Sequence, residues 1–168
     1  QAGYLSVDLR RRLGENATFS IGSNTQRFQI NVENEEDDDF TDRFIYETDI
    51  NGLDPNRAFE EYYFTDVQTT LNFDNTDHPA YPTRGMKFNA FLIGNVGIND
   101  ITRDWGNFTT DFSWFYSFQF PAKVTIANRT GYSSTFGDAE FFAFNKLGGN
   151  TNLRGFRRSR FWGENTVF

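Results

Sequence analysis

The chain has 168 residues and a formal net charge of −7, and it contains no cysteine. Its length fits one domain of ordinary size. The acidic balance argues against a nucleic-acid partner, which would need a basic surface, and the missing cysteines exclude disulfides and thiolate metal sites.

Aromatic residues are unusually abundant, with 21 Phe, 7 Tyr and 3 Trp, although the hydrophobic fraction is only 38%. A membrane-spanning β-barrel accounts for both values. Alternate strand residues face lipid in such a barrel, the others face a polar lumen, and the rims carry aromatic girdles. No segment approaches the roughly 18 uninterrupted apolar residues of a transmembrane helix. Composition therefore favours a transmembrane barrel over a packed globular core.

Six segments of the chain alternate apolar and polar residues with the period of a β-strand. They are predicted near residues 4–13, 17–33, 64–74, 85–97, 107–120 and 123–136. The first already alternates from Leu5, so we expect the chain to be an internal part of a longer protein. In the second, the apolar residues change parity between Ile21 and Phe28, which predicts a β-bulge near Ser23–Gln26.

The connections between these segments alternate between short and long. Tight turns are predicted after the first and fifth segments, and a proline-containing turn after the third. Long loops are predicted at 34–63 and 137–166. Because outer-membrane barrels have short periplasmic turns and long extracellular loops, we predict that Glu33–Tyr63 is extracellular and that Pro79–Pro82 is periplasmic.

Six strands are too few to close a barrel in lipid, since known single-chain examples begin at about 8 strands. An open sheet edge in hydrocarbon would leave backbone groups without hydrogen-bond partners. The predicted fold class is therefore an all-β, antiparallel transmembrane barrel, with the remaining strands expected from residues outside this chain.

The segment 107–120 shows the alternation most clearly. One parity is almost entirely aromatic: Phe108, Phe112, Trp114, Tyr116, Phe118 and Phe120. The other parity is mostly polar and includes Asp111, Ser113 and Ser117. A tilted strand crosses a bilayer in about 9–11 residues. We predict that Phe112, Trp114, Tyr116 and Phe118 face lipid and that the polar set faces the lumen.

Few residues suggest a metal or a catalytic centre. The acidic run Glu33–Asp39, followed by Asp42, offers oxygen ligands for a cation, but it lacks the spacing and central glycine of an EF-hand. A solvated loop is the better interpretation, because blocks of like charge are usually solvated. The single histidine, His78, is predicted to be a turn residue. We predict no catalytic residue, metal or cofactor in this segment.

Two motifs carry more information than the rest. The first is the turn from Asn75 to Gly85, in which Pro79 and Pro82 restrict the backbone and Gly85 permits an unusual φ. Its predicted structural residues are Pro82, Arg84 and Gly85.

The second motif lies in the long loop 137–166. Leu147-Gly148-Gly149 is followed by Leu153-Arg154-Gly155-Phe156 and then by Arg157 and Arg158. Free in solution, this cluster would be an ordinary basic surface. Alternatively, a guanidinium can form bidentate bonds to a carboxylate on a barrel wall, and the neighbouring aromatic ring can pack as an anchor.

The two motifs and the strands between them resemble the BamA/TamA-type outer-membrane assembly and secretion superfamily. In that family the long loop folds into the lumen, and its Arg-Gly-aromatic tip docks on the inner wall. The resemblance implies this role for Arg154, Gly155 and Phe156, and it implies that Pro82-Thr83-Arg84-Gly85 is a periplasmic turn. It also implies that the chain carries six strands of a barrel of roughly sixteen.

The resemblance further implies a location in the bacterial outer membrane and a role in inserting or translocating other outer-membrane proteins. The implied partners are outer-membrane lipids, nascent outer-membrane proteins and periplasmic or lipoprotein subunits. Two alternatives remain open. The segment could be the barrel anchor of a phosphoesterase- or phospholipase-fused member of the same superfamily, or it could be a passive porin.

Overall fold

The computed structural model describes residues 4–29, 61–139, 143–150 and 152–168. This part of the chain forms nine strands: β1 (Tyr4–Arg12), β2 (Ala17–Gln29), β3 (Glu61–Asp74), β4 (Gly85–Gly97), β5 (Trp105–Gln119), β6 (Lys123–Gly137), β7 (Asn145–Leu147), β8 (Phe161–Gly163) and β9 (Asn165–Val167). Seven of them form one sheet in the order β1-β2-β3-β4-β5-β6-β9, and β7 pairs with β8. Every pairing is antiparallel. The described residues contain no helix that is long and apolar enough to span a membrane.

Two predicted loops need correction where the structure describes them. Strand β3 begins at Glu61, so residues 61–63 belong to a strand and not to the predicted loop 34–63. The ladder extends this far because Arg27 on β2 forms an ion pair with Glu61, and the Tyr63 hydroxyl donates to the same carboxylate. The rest of that loop, with the acidic run, lies outside the described residues, as do residues 30–33 of the second predicted strand.

The predicted loop 137–166 is also more regular than expected. Strands β7 and β8 lie within it, and β9 begins at Asn165. Short strands of 3 residues leave no alternation long enough to recognise in a sequence.

The predicted β-bulge near Ser23–Gln26 is wrong. Strand β2 pairs without interruption with β1 from Tyr4↔Gln26 to Arg12↔Thr18, and with β3 along its whole length. The change in apolar parity has another cause. Where Phe28 pairs with Tyr62, the neighbouring strand is itself apolar on its inner face, since Tyr62 and Phe64 are buried. Where β2 ends and β3 begins, apolar residues therefore occur on both faces of the sheet, and the register of the strands does not shift.

The two faces of the sheet have opposite chemistry. Large apolar side chains are exposed along one face, here called the outer face, and they include Leu5, Val7, Leu9, Ile21, Val67, Leu92 and Val96. Polar side chains are buried on the opposite, inner face: Asp66, Asn95, Ser113, Ser117, Ser133 and Thr135. A water-soluble sheet buries its apolar face and exposes its polar one. The reversed arrangement is that of a membrane barrel wall, which faces lipid outside and a polar lumen inside.

Strand β5 follows the predicted parity. Ser113 and Ser117 are 8% and 6% exposed on the inner face, whereas Tyr116 is 57% exposed on the outer face. Asp111 is ion-paired with Arg129 of β6, the two charges being 2.6 Å apart. The carboxylate is thus neutralised on the inner face, as expected for a charge that avoids lipid.

The described connections lie at two opposite ends of the strands. The turns 13–16, 75–84 and 120–122 all lie at one end, here called the turn rim. The connection β4–β5 lies at the other end, here called the loop rim, together with the last residues of β2 and β6 and the first residue of β3. Antiparallel strands joined in this up-and-down order are typical of outer-membrane barrels.

Candidate functional site

The candidate site is formed by residues 145–150 and 152–163, here called the inner hairpin, which contains β7, β8 and the described residues of the tip between them. Its first residue, Asn145, contacts β5 and β6. The Asn145 Oδ1 atom accepts a hydrogen bond from Asn107 Nδ2 at 2.8 Å and another from Ser133 Oγ. Both donors lie on the inner face, opposite the exposed rings of β5. The base of the hairpin is therefore held on the lumen side of the wall.

Two glycines make the reversal inside the hairpin possible. Gly148 and Gly149 have φ values of +128° and +86°, in the region that favours glycine. A Cβ on Gly148 would lie 2.1 Å from the carbonyl oxygen of Arg157, so no other residue fits there. The Asn152 side chain closes the bend, since its Oδ1 accepts from Gly148 N at 3.0 Å and its Nδ2 donates to Lys146 O at 2.9 Å.

The three predicted tip residues have different surroundings. Phe156 packs edge-to-face on Phe161 with ring centroids 5.4 Å apart, and its carbonyl accepts from Gly149 N at 3.0 Å. Gly155 has a φ of +95° and turns the backbone. Arg154 is exposed and forms no hydrogen bond or ion pair with any residue that the structure describes. The docking of Arg154 on a wall carboxylate therefore stays a prediction.

The second motif forms a tight structure at the turn rim. The Asp77 carboxylate accepts from Thr83 N at 2.7 Å, Arg84 N at 3.0 Å and Thr83 Oγ1 at 2.6 Å. Gly85 has a φ of +106°, and a Cβ there would lie 2.6 Å from the Asn75 carbonyl oxygen. The Arg84 side chain is exposed and bonds nothing in the described residues, so Arg84 takes part through its backbone. The Ser117 hydroxyl ties the turn to β5 by donating to Thr83 O at 2.9 Å.

The Asp77 carboxylate gives this turn a defined response to pH. Hydrogen bonds from the Thr83 hydroxyl and from the N–H groups of Arg84 and Thr83 hold the pKa of Asp77 well below its usual range. Because the folded-state pKa is lowered, the stabilisation is fully present above the ordinary carboxyl pKa of about 4 and is lost as the pH falls through the lowered pKa.

We expect the amide protons of residues 83–84 to stay protected at pH 4 and to lose protection only in stronger acid. In Asp77→Asn the protection should be weaker than in wild type wherever Asp77 is ionised, because the neutral amide cannot accept three bonds, and the difference should vanish in stronger acid. Hydrogen exchange measured by mass spectrometry and corrected for intrinsic rates tests this. The control is Asp100→Asn, at an exposed position on the loop rim. Loss of wild-type protection already at pH 4, or an unchanged Asp77→Asn profile, would contradict it.

A polar row crosses three strands near the loop rim. Asn24 pairs with Asp66, and Asp66 pairs with Asn95, so the three residues lie side by side on the inner face. Asp66 is 2% exposed, and its Oδ2 accepts from Gln26 Nε2 at 3.5 Å. A row of two amides and a carboxylate on the inner face, with Asp66 and Asn95 buried, is consistent with a polar lumen.

Sequence reasoning missed two residues that organise these sites. Asp77 had a local signal, since Asp side chains commonly bond backbone groups of tight turns. Asn145 had none, because its partners on β5 and β6 are 10 to 38 residues away in sequence.

Comparison with known proteins agrees with this geometry. The family model described as the Omp85 superfamily domain matches residues 2–163. No curated protein matches the sequence. The crystal structure of BamA from Haemophilus ducreyi lacking POTRA domains 1–3 superimposes with a TM-score of 0.69 at 22% identity. The match covers 94% of this chain and 30% of the BamA chain, so the likeness is one of fold over part of a barrel.

Proposed function

The chain belongs to the Omp85 superfamily, and from this premise we propose that it is part of an outer-membrane barrel that inserts or translocates other outer-membrane proteins. Such a barrel catalyses no covalent chemistry, and it acts by templating strands and weakening the surrounding membrane. Its outer face would contact outer-membrane lipids. Nascent outer-membrane proteins would be its substrates, with periplasmic or lipoprotein subunits as partners.

The observation that carries this proposal is the inner hairpin on the polar face of β5 and β6. A passive porin keeps its interior open as a water-filled channel, whereas other barrels are plugged by loops. Asn145 holds the hairpin on the side where the channel would be. A loop attached there would occupy the space of the channel, and this favours a barrel plugged by its loop over an open pore.

Arg154, Gly155 and Phe156 would brace the barrel from inside. A guanidinium brought into the lumen wall requires a partner, since an unpaired buried charge is costly. We propose that a carboxylate on a wall strand outside the described residues accepts Arg154. Gly155 allows the backbone to approach, and Phe156 packs beside the ion pair as an anchor.

Reconstitution of the full-length protein in liposomes tests this function. Addition of a urea-denatured reporter barrel should give folded, heat-modifiable reporter faster than in empty liposomes. Equal rates would contradict the proposal. Ion conductance without accelerated folding would indicate a passive porin. Hydrolysis of p-nitrophenyl phosphate or of phospholipid would indicate the enzyme-fused alternative; the segment Leu153–Arg158 resembles the same loop segment of the phosphoesterase-fused members.

Membrane topology gives a second test, because the absence of native cysteine permits single-cysteine labelling in this segment. We expect Asp100→Cys on the loop rim to react with a membrane-impermeant maleimide in intact cells. Tyr81→Cys on the turn rim, where the native side chain is 80% exposed, should react only after the outer membrane is permeabilised. The reverse pattern would invert the proposed orientation.

A further inference from the structure

We propose that Asn145 is the positioning residue that holds the inner hairpin, and through it Arg154, inside the barrel. This inference rests on the proposed function and adds a residue to it. Its basis is the hydrogen bonding of one carboxamide, which joins the hairpin to β5, β6 and the residue before β9.

The Asn145 carboxamide uses its full bonding capacity. An amide has two donor hydrogens and an oxygen with two lone pairs. Oδ1 accepts from Asn107 Nδ2 and Ser133 Oγ, and Nδ2 donates to Thr135 Oγ1 at 3.0 Å and to Glu164 O at 2.6 Å. Each donor hydrogen of the amide therefore meets an acceptor, and the amide oxygen receives two donors.

The partners of Asn145 are themselves held in place. Asn107 Nδ2 also donates to Thr135 Oγ1 at 2.9 Å, and the Thr109 hydroxyl lies 2.6 Å from the Ser133 hydroxyl. Ser133 and Thr135 are both buried. Because the receiving groups are fixed by each other, they form a rigid seat for the carboxamide and not a flexible surface contact.

The receiving groups on β5 and β6 hold both ends of the inner hairpin close together. The Glu164 carbonyl accepts from Thr135 N at 2.7 Å as well as from Asn145 Nδ2. The hairpin thus leaves the wall at Asn145 and returns beside it at Glu164. The Ala143 carbonyl lies beside this point and accepts from Thr135 Oγ1 at 3.4 Å, so the two ends of the hairpin meet the wall next to each other.

No other hairpin side chain shares this role in the described part of the chain. There, Asn145 is the only residue of the hairpin whose side chain hydrogen-bonds a strand from β1 to β6. Lys146 instead lies over the Trp162 ring, 4.1 Å from its centre, within the hairpin. Removal of the Asn145 carboxamide should therefore release the hairpin while the wall stays paired.

The first test is trypsin digestion of intact cells that express the full-length protein, since the tip carries arginines at 154, 157 and 158. We expect Asn145→Ala to be cleaved in the hairpin at least about tenfold faster than wild type, because four hydrogen bonds are lost and one net hydrogen bond alone corresponds to roughly tenfold. The barrel should keep its heat-modifiable mobility. The matched control is Asn165→Ala on the outer face, where the native Oδ1 accepts from Ser134 Oγ at 2.7 Å.

The charge variant Asn145→Asp sharpens this test. Its carboxylate could still accept from Asn107 and Ser133, but it could not donate to the Glu164 carbonyl. We expect Asn145→Asp to release the hairpin as alanine does. Wild-type cleavage rates in either Asn145 variant, or equal acceleration in Asn165→Ala, would overturn the proposal.

The second test separates positioning from general stabilisation. The compared variants are Asn145→Ala, Arg154→Ala and the double variant that carries both substitutions. If Asn145 acts through Arg154, the double variant should fold the reporter barrel no more slowly than the slower of the two single variants. A multiplicative loss would overturn the coupling, because independent sites add in free energy. The proteolysis result does not depend on reporter folding, so failure of the proposed function would be recognised separately.

Discussion

Arg154→Ala is expected to lower both the stability of the whole barrel and its ability to fold a reporter protein. If the guanidinium is paired with a wall carboxylate, its removal leaves that carboxylate buried and uncompensated, at a cost of about 3–5 kcal/mol. The barrel should then lose its heat-modifiable mobility at a lower temperature than wild type.

Arg157→Ala is the matched control for this substitution. Both arginines are exposed in the described residues, and the two positions are three apart in one loop. Only Arg154 directly precedes Gly155 and Phe156 at the tip. Semi-native gels and the reporter-folding assay should therefore separate the two variants clearly. Equal, negligible effects would leave the loop as an ordinary basic surface segment.

Phe112→Arg is expected to destabilise the barrel by about 2–4 kcal/mol, the cost of a cation on the lipid face near the middle of the bilayer. Phe112 lies in the middle of β5, and its side chain is exposed on the outer face. The inserted guanidinium would have no partner in hydrocarbon, so urea unfolding in detergent-free liposomes should shift to lower denaturant concentration.

Phe115→Arg provides the comparison within the same strand. Phe115 is three positions away and lies on the inner face, where polar and charged residues such as Asp111 already occur. An arginine there would meet a polar lumen, and we expect a much smaller shift in the unfolding midpoint. A larger loss for Phe115→Arg than for Phe112→Arg would reverse the assignment of the two faces.

The alternation in β5 could be predicted from sequence because it is a local property. Successive side chains of a strand point to opposite faces whatever surrounds it, so the parity of Ser113 and Tyr116 is decided by the backbone alone. The position of the turn after β3 was equally local, since Pro82 and Gly85 restrict or permit particular φ values wherever they occur.

The bulge in β2 was wrongly predicted for a reason that sequence could not reveal. The odd or even positions of the apolar residues in a strand indicate its register only if one face of the sheet is apolar along its whole length. Tyr62 and Phe64 are buried on the inner face at this level, so the rule fails there while the pairing continues unbroken. Whether a given face of the sheet is buried depends on the assembled strands, so it cannot be read from the sequence of one strand.

By itself, the sequence determined the strands that cross the membrane, the turn at Gly85 and the loop that carries Arg154, because each depends on residues close together in the chain. The attachment of that loop was decided only by tertiary structure. Asn145 is bonded to Asn107, 38 residues earlier, and the two meet only after β5 and β6 have paired. Hydrogen bonds between residues so far apart in the chain have no period and no local motif, and the folded wall alone brings them together.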